Sequence, residues 1–478
     1  GREMARHFGR PLDIEWAFDG QCVHWLQGRE ITSVRGVDIY SNRIAREQLP
    51  GLIKPLVWSV NIPVVCGAWK RILVQLLGKP AESIDVTRLA RPFCFRAYYN
   101  MGIVGDAFEL LGMPREATEL MMGMETVGPD APGMRPGWRS LRYLPRFFAF
   151  VIRIVFFDSA LRCFVWHQWR RYEALVGPQG KETVGVDIPT SLERLKALSM
   201  EGAYYLVITE LLLGVYTMLL KRALARKGLM LDESMFAPAV ALTAEVDPRR
   251  HLAELANIGA RPGDEAWDEF LRSFGHMSDS GNDFSRPTWR EQESTLAAMI
   301  ASVGHGSGAT SGSDVAKQTR RLGPLAALLL QRAVAYRAFR EHVNYCYTYG
   351  YGLFRPHMRK AGLLLGERGL LRDVEDVFFL EYDEVIGALE GTNEEADLQQ
   401  QVSSRRAAMR ACEKVQLPEV IVGDEVPIPV YTPVSCVLEG VGVARGQAEG
   451  PVRVVESLSQ TGTVEDGDIL VIPFSDVS

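Results

Sequence analysis

The amino-acid sequence predicts a mainly α fold: a large helical central domain flanked by β structure on both sides. Three observations carry that reading. Residues 12–32 alternate in polarity around a turn dipeptide, residues from about 62 to 415 repeat apolar side chains at three- and four-residue spacing, and past Pro418 the text turns to alternating Val, Ile, Pro and Gly. The 478 residues, 47% hydrophobic and 23% charged, are ordinary globular material with ample apolar surface for a core, and the length suggests roughly two to four domains.

The first β element is a hairpin. Ile14, Trp16 and Phe18 lead to Asp19-Gly20, and Val23, Trp25 and Leu26 run back. After Thr32 the pattern loosens into an expected linker over 34–61, through Pro50-Gly51 and Pro55. Helices are expected over 63–78, 103–123, 140–175, 189–227, 264–274, 289–303 and 314–355, separated by breaks such as Gly128-Pro129 and Gly177-Pro178. Residues 304–314 are glycine- and serine-rich but lack the Gly-Lys-Ser/Thr ending of a phosphate-binding loop, so they read as a surface loop. β structure resumes over 419–455, and a turn at Gly467-Asp468 precedes a strand at 469–472. A strand so near the last residue suggests an interior piece of a longer protein, cut within a domain at each end.

Charge and cysteine usage narrow the function. A net charge of -6 with a pI near 5.9 provides no global positive field for nucleic acid. The seven cysteines contain no CxxC pair, which argues against a zinc ribbon or a disulfide framework and fits a reducing, cytoplasmic compartment. Two apolar stretches invite a membrane test. Residues 144–164 carry Arg146, Arg153, Asp158 and Arg162, each costing about 2.5–3.5 kcal/mol near a bilayer centre, so that helix does not span. Residues 204–220 contain only Glu210 but sit at the short limit for spanning, and a buried core helix is the expected outcome.

Glu15, Gln27 and Arg29 face one another across the hairpin turn. A carboxylate and an amide carbonyl on paired strands offer hard oxygen ligands for Mg²⁺, and an arginine two residues beyond shares their face; three polar residues on a strand are also what a solvated face looks like. The surrounding text distinguishes the two. Phe8-Gly9-Arg10-Pro11-Leu12-Asp13-Ile14-Glu15-Trp16-Ala17 with Leu26-Gln27-Gly28-Arg29-Glu30-Ile31-Thr32 resembles the end of the ATP-grasp domain of the pyruvate phosphate dikinase and phosphoenolpyruvate synthase superfamily, departing at Glu30, where the family carries proline. The resemblance implies that Glu15 and Gln27 hold Mg²⁺ and that Arg29 contacts the phosphates of ATP.

A second stretch, Gly440-Val441-Gly442-Val443-Ala444-Arg445-Gly446 through Gly450-Pro451-Val452-Arg453-Val454 and Gly467-Asp468-Ile469-Leu470-Val471, resembles the opening of that superfamily's swivelling phosphohistidine domain. The phosphorylated histidine of such domains falls beyond Ser478, so none of the eight histidines takes that role. A long helical domain between the two matches is the layout of the rifampin phosphotransferases and their relatives, in which it binds the phosphate acceptor. The implied organisation is the end of an ATP-grasp domain over 1–33, a linker over 34–61, a helical acceptor domain over 62–418 and the start of a swivelling domain over 419–478.

The implied activity is phosphoryl relay from ATP through a phosphohistidine to a hydroxyl of an apolar small molecule, with release of AMP and phosphate. A synthase with a following phosphoenolpyruvate barrel, or a binding protein that kept only the helical domain, are the alternatives. Such a piece would be inactive alone.

Acceptor-side candidates lie in the helical region. His276, Arg290 and Glu291 either rim an acceptor pocket or act as caps and salt bridges, the commoner use of such groups. This chain has Gly275-His276-Met277 where the family carries Gly-His-Arg, which weakens an anion-binding role there. Arg332, Tyr336, Arg337, Arg340, Glu341 and Tyr345 form a polar stripe whose ordinary reading is intrahelical pairing of Arg337 with Glu341. The run from Tyr345 through Tyr347 and Tyr349 to Tyr351 reads as core packing.

Overall fold

The structure is a computed structural model that describes residues 12–30, 38–43, 45–110, 145–146, 157–176, 187–278, 280–302, 322–392, 397–423, 448–455, 464 and 467–472. The breaks expected at 128–133, 177–180 and 304–314, the whole Gly440–Gly446 run and the last six residues lie outside that set.

Strands β1 (Leu12–Phe18) and β2 (Val23–Glu30) form the expected antiparallel hairpin. Its turn is longer than the Asp19-Gly20 dipeptide alone. Phe18 pairs with Val23, and Asp19 Oδ1 accepts the backbone N–H groups of Gln21 and Cys22, each at 2.8 Å, which closes the loop through a side chain.

The stretch 34–61 is not a tether. It carries β3 (Ile39–Ser41), the single turn α1 (Ala45–Gln48) and the first turns of α2 (Pro55–Leu77). Pro55 occupies the first turn of α2, where its missing N–H would have had no intrahelical partner. A proline that loosens the sequence pattern therefore marks a helix start.

A four-stranded antiparallel sheet, unexpected within the helical region, gathers distant parts of the chain. Its order is β4 (Ala90–Phe93), β5 (Arg96–Asn100), β3 and β6 (Val420–Val422). Tyr40 of β3 lies opposite Asn100 on one side and Ile421 on the other. Tyr40, Phe93, Tyr98 and Ile421 bury a small core, with Phe93 meeting the two tyrosines edge-on at centroid distances of 5.1 and 5.3 Å. The strand that follows Pro418 is thus tied to residue 39. A separate parallel pair joins β7 (Val452–Val454) to β8 (Ile469–Val471).

The remaining helices are α3 (Met101–Leu110), α4 (Phe157–Val176), α5 (Ile188–Ala225), α6 (Ala237–Leu242), α7 (Pro248–Ile258), α8 (Glu265–Phe274), α9 (Glu293–Ser302), α10 (Pro324–Glu367), α11 (Tyr382–Glu390) and α12 (Leu398–Cys412). The fold is mainly helical. Its main core lies where α10 packs along α5, with α2 and α4 alongside. Leu192, Leu195, Ala203, Ile208 and Leu212 of α5 face Val343, Tyr347, Tyr351, Phe354 and Met358 of α10, which is the three- and four-residue stripe of the sequence turned inward. A second cluster around Trp267, Phe270, Phe274 and Trp289 binds α7, α8 and α9 together.

Helix α10 has 44 residues, about 66 Å at 1.5 Å per residue, and it does not stop before Pro356 as the spacing suggested. An interior proline removes one backbone hydrogen bond and crowds the carbonyl four residues back, at a cost of about 3 kcal/mol. Buried neighbours on both sides, Phe354, Arg355 and Met358, hold the helix through it.

Helices α2 and α5 are each long and apolar enough to cross a membrane; here they pack on one another and 44% and 33% of their most apolar windows are buried.

Close packing of α10 yields a test at two of its glycines. A Cβ at Gly362 would come within 2.5 Å of the Val374 carbonyl oxygen, whereas one at the exposed Gly366 would have its nearest neighbour at 4.0 Å. Gly362→Ala should lose about 1–3 kcal/mol in urea unfolding, and Gly366→Ala should gain roughly 0.5–1 kcal/mol from helix propensity. Equal effects at the two positions would contradict the packing of α10 on the 374–379 turn.

Candidate functional site

The hairpin register places Glu15 directly opposite Gln27 and Asp13 opposite Arg29, with a bulge between Glu15 and Trp16. Directly paired residues share a face and keep their Cβ atoms roughly 4.5–5.5 Å apart, so the Glu15 carboxylate and the Gln27 amide oxygen are near enough to converge on one cation. Both side chains are exposed, and the alternation puts position 29 on the same face. This donor set fits Mg²⁺ shared with a phosphate, because two hard oxygens leave coordination positions for phosphate oxygens and water.

On the helical side, Glu291 and Arg290 are structural, as the commoner reading had it. Glu291 closes a capping box with Thr288, accepting the Thr288 N–H at 2.9 Å, and Arg290 donates to the Leu271 carbonyl at 2.6 Å near the end of α8. Glu291 also receives Arg355 Nε at 2.6 Å and Arg359 Nη1 at 3.0 Å, while the Arg355 fork donates to the Ser285 carbonyl at 3.0 Å and to Glu375 at 3.2 Å. Burial alone would raise the Glu291 carboxyl, but the Arg355 and Thr288 hydrogen bonds outweigh it and hold the group below its ordinary value. Carboxylates bound in this way are poor bases.

The polar stripe on α10 is divided among partners. Arg332 makes two bonds to Asp158 of α4, at 2.7 and 2.8 Å, and Tyr336 donates to the same carboxylate at 3.3 Å. Glu341 is taken by its neighbour Arg340 at 2.5 Å, not by Arg337, whose guanidinium lies over the Phe236 ring at 4.8 Å. Helical spacing allowed the Arg337–Glu341 pair; the approach of an aromatic ring from another element decided against it. Tyr347 and Tyr351 are buried core residues, as expected, and Tyr345 donates to the Ser273 carbonyl at 2.9 Å.

His276 differs from its neighbours. Both ring nitrogens are shut from solvent and neither makes a hydrogen bond of good geometry. The ring lies edge-on to Tyr349 at 4.9 Å and to Tyr345 at 5.7 Å, and Trp169 of α4 packs against both tyrosines. Gly352 of α10 makes room, since a Cβ there would stand 2.7 Å from the His276 Cβ. Burial, aided by the Arg290 charge and opposed by the Ser273 carbonyl, pushes the imidazole down to about 3, so the ring is neutral.

Lys54 was not singled out in the sequence. It stands at the N-cap of α2 with no ion pair among the described residues, its ammonium lying 5.4 and 5.5 Å from the Phe378 and Phe379 ring centroids. Burial lowers its pKa, Asp283 and Glu375 oppose that, and Arg286 and Arg355 add to it. A cation with aromatic neighbours but no ion-pair partner is suited to meet an anion. Its only signal in the sequence was a lysine directly ahead of a helix-starting proline.

Residues 196–341, from within α5 to the middle of α10, match the family model described as the rifampicin phosphotransferase fourth domain. The whole chain is 24% identical to a rifampicin phosphotransferase of Streptomyces sviceus, spanning 60% of that protein's length. A Bacillus subtilis rifampicin phosphotransferase is 27% identical over 48% of this chain and 29% of its own. An uncharacterised Mycobacterium tuberculosis protein is 34% identical over 26% of this chain and 14% of its own. The chain is thus similar to rifampicin phosphotransferases from end to end, and the resemblance inferred from its motifs holds.

The buried imidazole has a pH signature. Below its ordinary value of 6.5 the unfolded chain binds a proton that the folded chain refuses until about pH 3. The contribution is therefore complete above about pH 6.5 and is lost as pH falls toward 3, at up to about 1.4 kcal/mol per pH unit. His276→Leu should flatten the stability-against-pH curve between pH 6 and 4 by one proton relative to the parent. Parallel curves would mean that His276 is protonated in the fold.

Proposed function

We propose that this chain is the acceptor-binding body, with the adjoining edge of the nucleotide site, of an ATP-dependent phosphotransferase. Phosphate passes through a phosphohistidine to a hydroxyl on a small apolar acceptor, with AMP and phosphate released. The observation that carries the reading is end-to-end similarity to rifampicin phosphotransferases, with the fourth-domain match lying on the α5–α10 core.

Each end of the chain contributes a different part. On the hairpin, Glu15 and Gln27 are the residues that would hold Mg²⁺ and Arg29 the one that would contact ATP phosphates, supported by the shared face of their register. Bound there, Mg²⁺ supplies charge neutralisation for the phosphates. In the helical body, the partly buried Trp169, Tyr345 and Tyr349 offer aromatic surface to an acceptor. Lys54 offers a positive charge to an arriving phosphate. Phosphoryl transfer asks mainly for positioning and charge neutralisation, which such groups supply without covalent participation.

Rifampicin is the first acceptor to try, since the similar proteins carry its name. The full-length protein incubated with ATP, Mg²⁺ and rifampicin should yield AMP and a phosphorylated product by mass spectrometry. Arg29→Ala in that protein should abolish phosphate incorporation into histidine while leaving the helical body folded by circular dichroism. Undiminished incorporation would show Arg29 to be a solvated strand residue and remove the ATP site from this hairpin.

A further inference from the structure

We propose that Cys94 and Cys412 are a disulfide-forming pair, a redox-closable staple between the β4–β5 turn and the C-terminal end of α12. The two cysteines come from opposite ends of the helical body, and one guanidinium nitrogen, Nη1 of Arg96, donates to the backbone carbonyls of both. Both are free and partly exposed, so an oxidant reaches them, whereas Cys66 and Cys346 are buried.

Independent contacts hold the two backbones together. The Arg96 guanidinium donates to the Cys94 carbonyl at 3.4 Å, to the Cys412 carbonyl at 3.1 Å and to the Glu413 carbonyl at 3.5 Å. Close by, Tyr98 donates to the Pro418 carbonyl at 2.8 Å.

The turn itself is unusual. Phe93 pairs with Arg96, leaving Cys94 and Phe95 as the two central residues, with φ of 45° and 60°. Two-residue hairpin turns of this hand ordinarily use Asn and Gly, because a Cβ is crowded at positive φ. Cys94 and Phe95 stay there because tertiary contacts over-determine the turn, among them the Phe95 carbonyl accepting the Ile53 N–H at 2.7 Å. Burial and the neighbouring sulfur raise the Cys412 thiol, and Arg96 opposes that rise.

Closure needs a small-molecule disulfide as oxidant. One protein thiolate attacks a sulfur of that disulfide, forming a mixed disulfide and expelling one small thiolate. The second protein thiolate attacks the mixed disulfide at the protein sulfur, forming the Cys94 Sγ–Cys412 Sγ bond and expelling the second small thiolate. The two protons lost by the cysteines end on the two small thiols, so the pair is oxidised by two electrons and the small disulfide is reduced. The bond would close a very long loop beside the β3–β6 pairing, where the chain leaves the helical body, and so restrict the unfolded chain.

The test uses the intact protein equilibrated across oxidised-to-reduced glutathione ratios, blocked with N-ethylmaleimide and digested with trypsin. Peptides 89–96 and 411–414 should appear joined in the oxidised samples, about 2 Da below the sum of the free peptides, and separate after dithiothreitol. The melting temperature should rise by several degrees on oxidation, and this rise should vanish in Cys412→Ser. Recovery of both peptides carrying only glutathione or maleimide, at ratios that oxidise a free dithiol, overturns the proposal. So does an equal rise in melting temperature in Cys412→Ser.

Discussion

Arg355 lies inside the far half of α10 with its side chain only 5% exposed, and all three of its guanidinium nitrogens are bonded. One edge meets Glu291 at the capping box, another the Ser285 carbonyl, and the third Glu375 at the start of the 374–379 turn. Arg359, one helical turn on, reaches the same two carboxylates. A buried ion pair adds little net stability over a well-packed apolar residue, but an unpaired buried charge is costly. The network therefore selects an arrangement more than it strengthens one: α10 must run on through Pro356, and both flanking segments must dock where their carboxylates meet the arginines.

With that arrangement set, the chemistry of the helical body follows from which groups are left over. The network absorbs Glu291 and Glu375, the caps absorb Arg290, and α4 absorbs Arg332 through Asp158. Among the described residues, two groups without an ion pair are the His276 imidazole beside its tyrosines and the Lys54 ammonium beside Phe378 and Phe379. Buried polar groups nearly always find well-formed partners, so an imidazole shut from solvent with only a poorly aligned approach to the Ser273 carbonyl is a departure from the rule.

Much of this was legible in the chain. The α5 and α10 stripes, the first hairpin and β8 follow from spacing alone, because burying one face of a helix or strand imposes a 3.6 or 2.0 period. The Glu15–Gln27 register was not legible, because it depends on a four-residue loop over 19–22 and a bulge after Glu15 where the text suggested a turn at Asp19-Gly20. The β4–β5 hairpin was not, since its turn uses Cys94 and Phe95 where turn chemistry would call for Asn and Gly. The end of α10 was misread for the same kind of reason: Pro356 breaks an isolated helix, and only packing keeps this one intact.

By itself, then, the sequence determined the mainly helical class, the faces that go inward, and the motif resemblance that points to phosphoryl transfer. These are properties of short windows, set by periodicity and turn geometry. Tertiary structure alone decided that residue 39 would pair with residue 421's strand, that Glu291 would answer to Arg355, and that Arg96 would bridge the carbonyls of Cys94 and Cys412. Each joins segments far apart in the chain, and no local rule reaches across such a loop, because the partner is selected by what the α5–α10 core has already brought near.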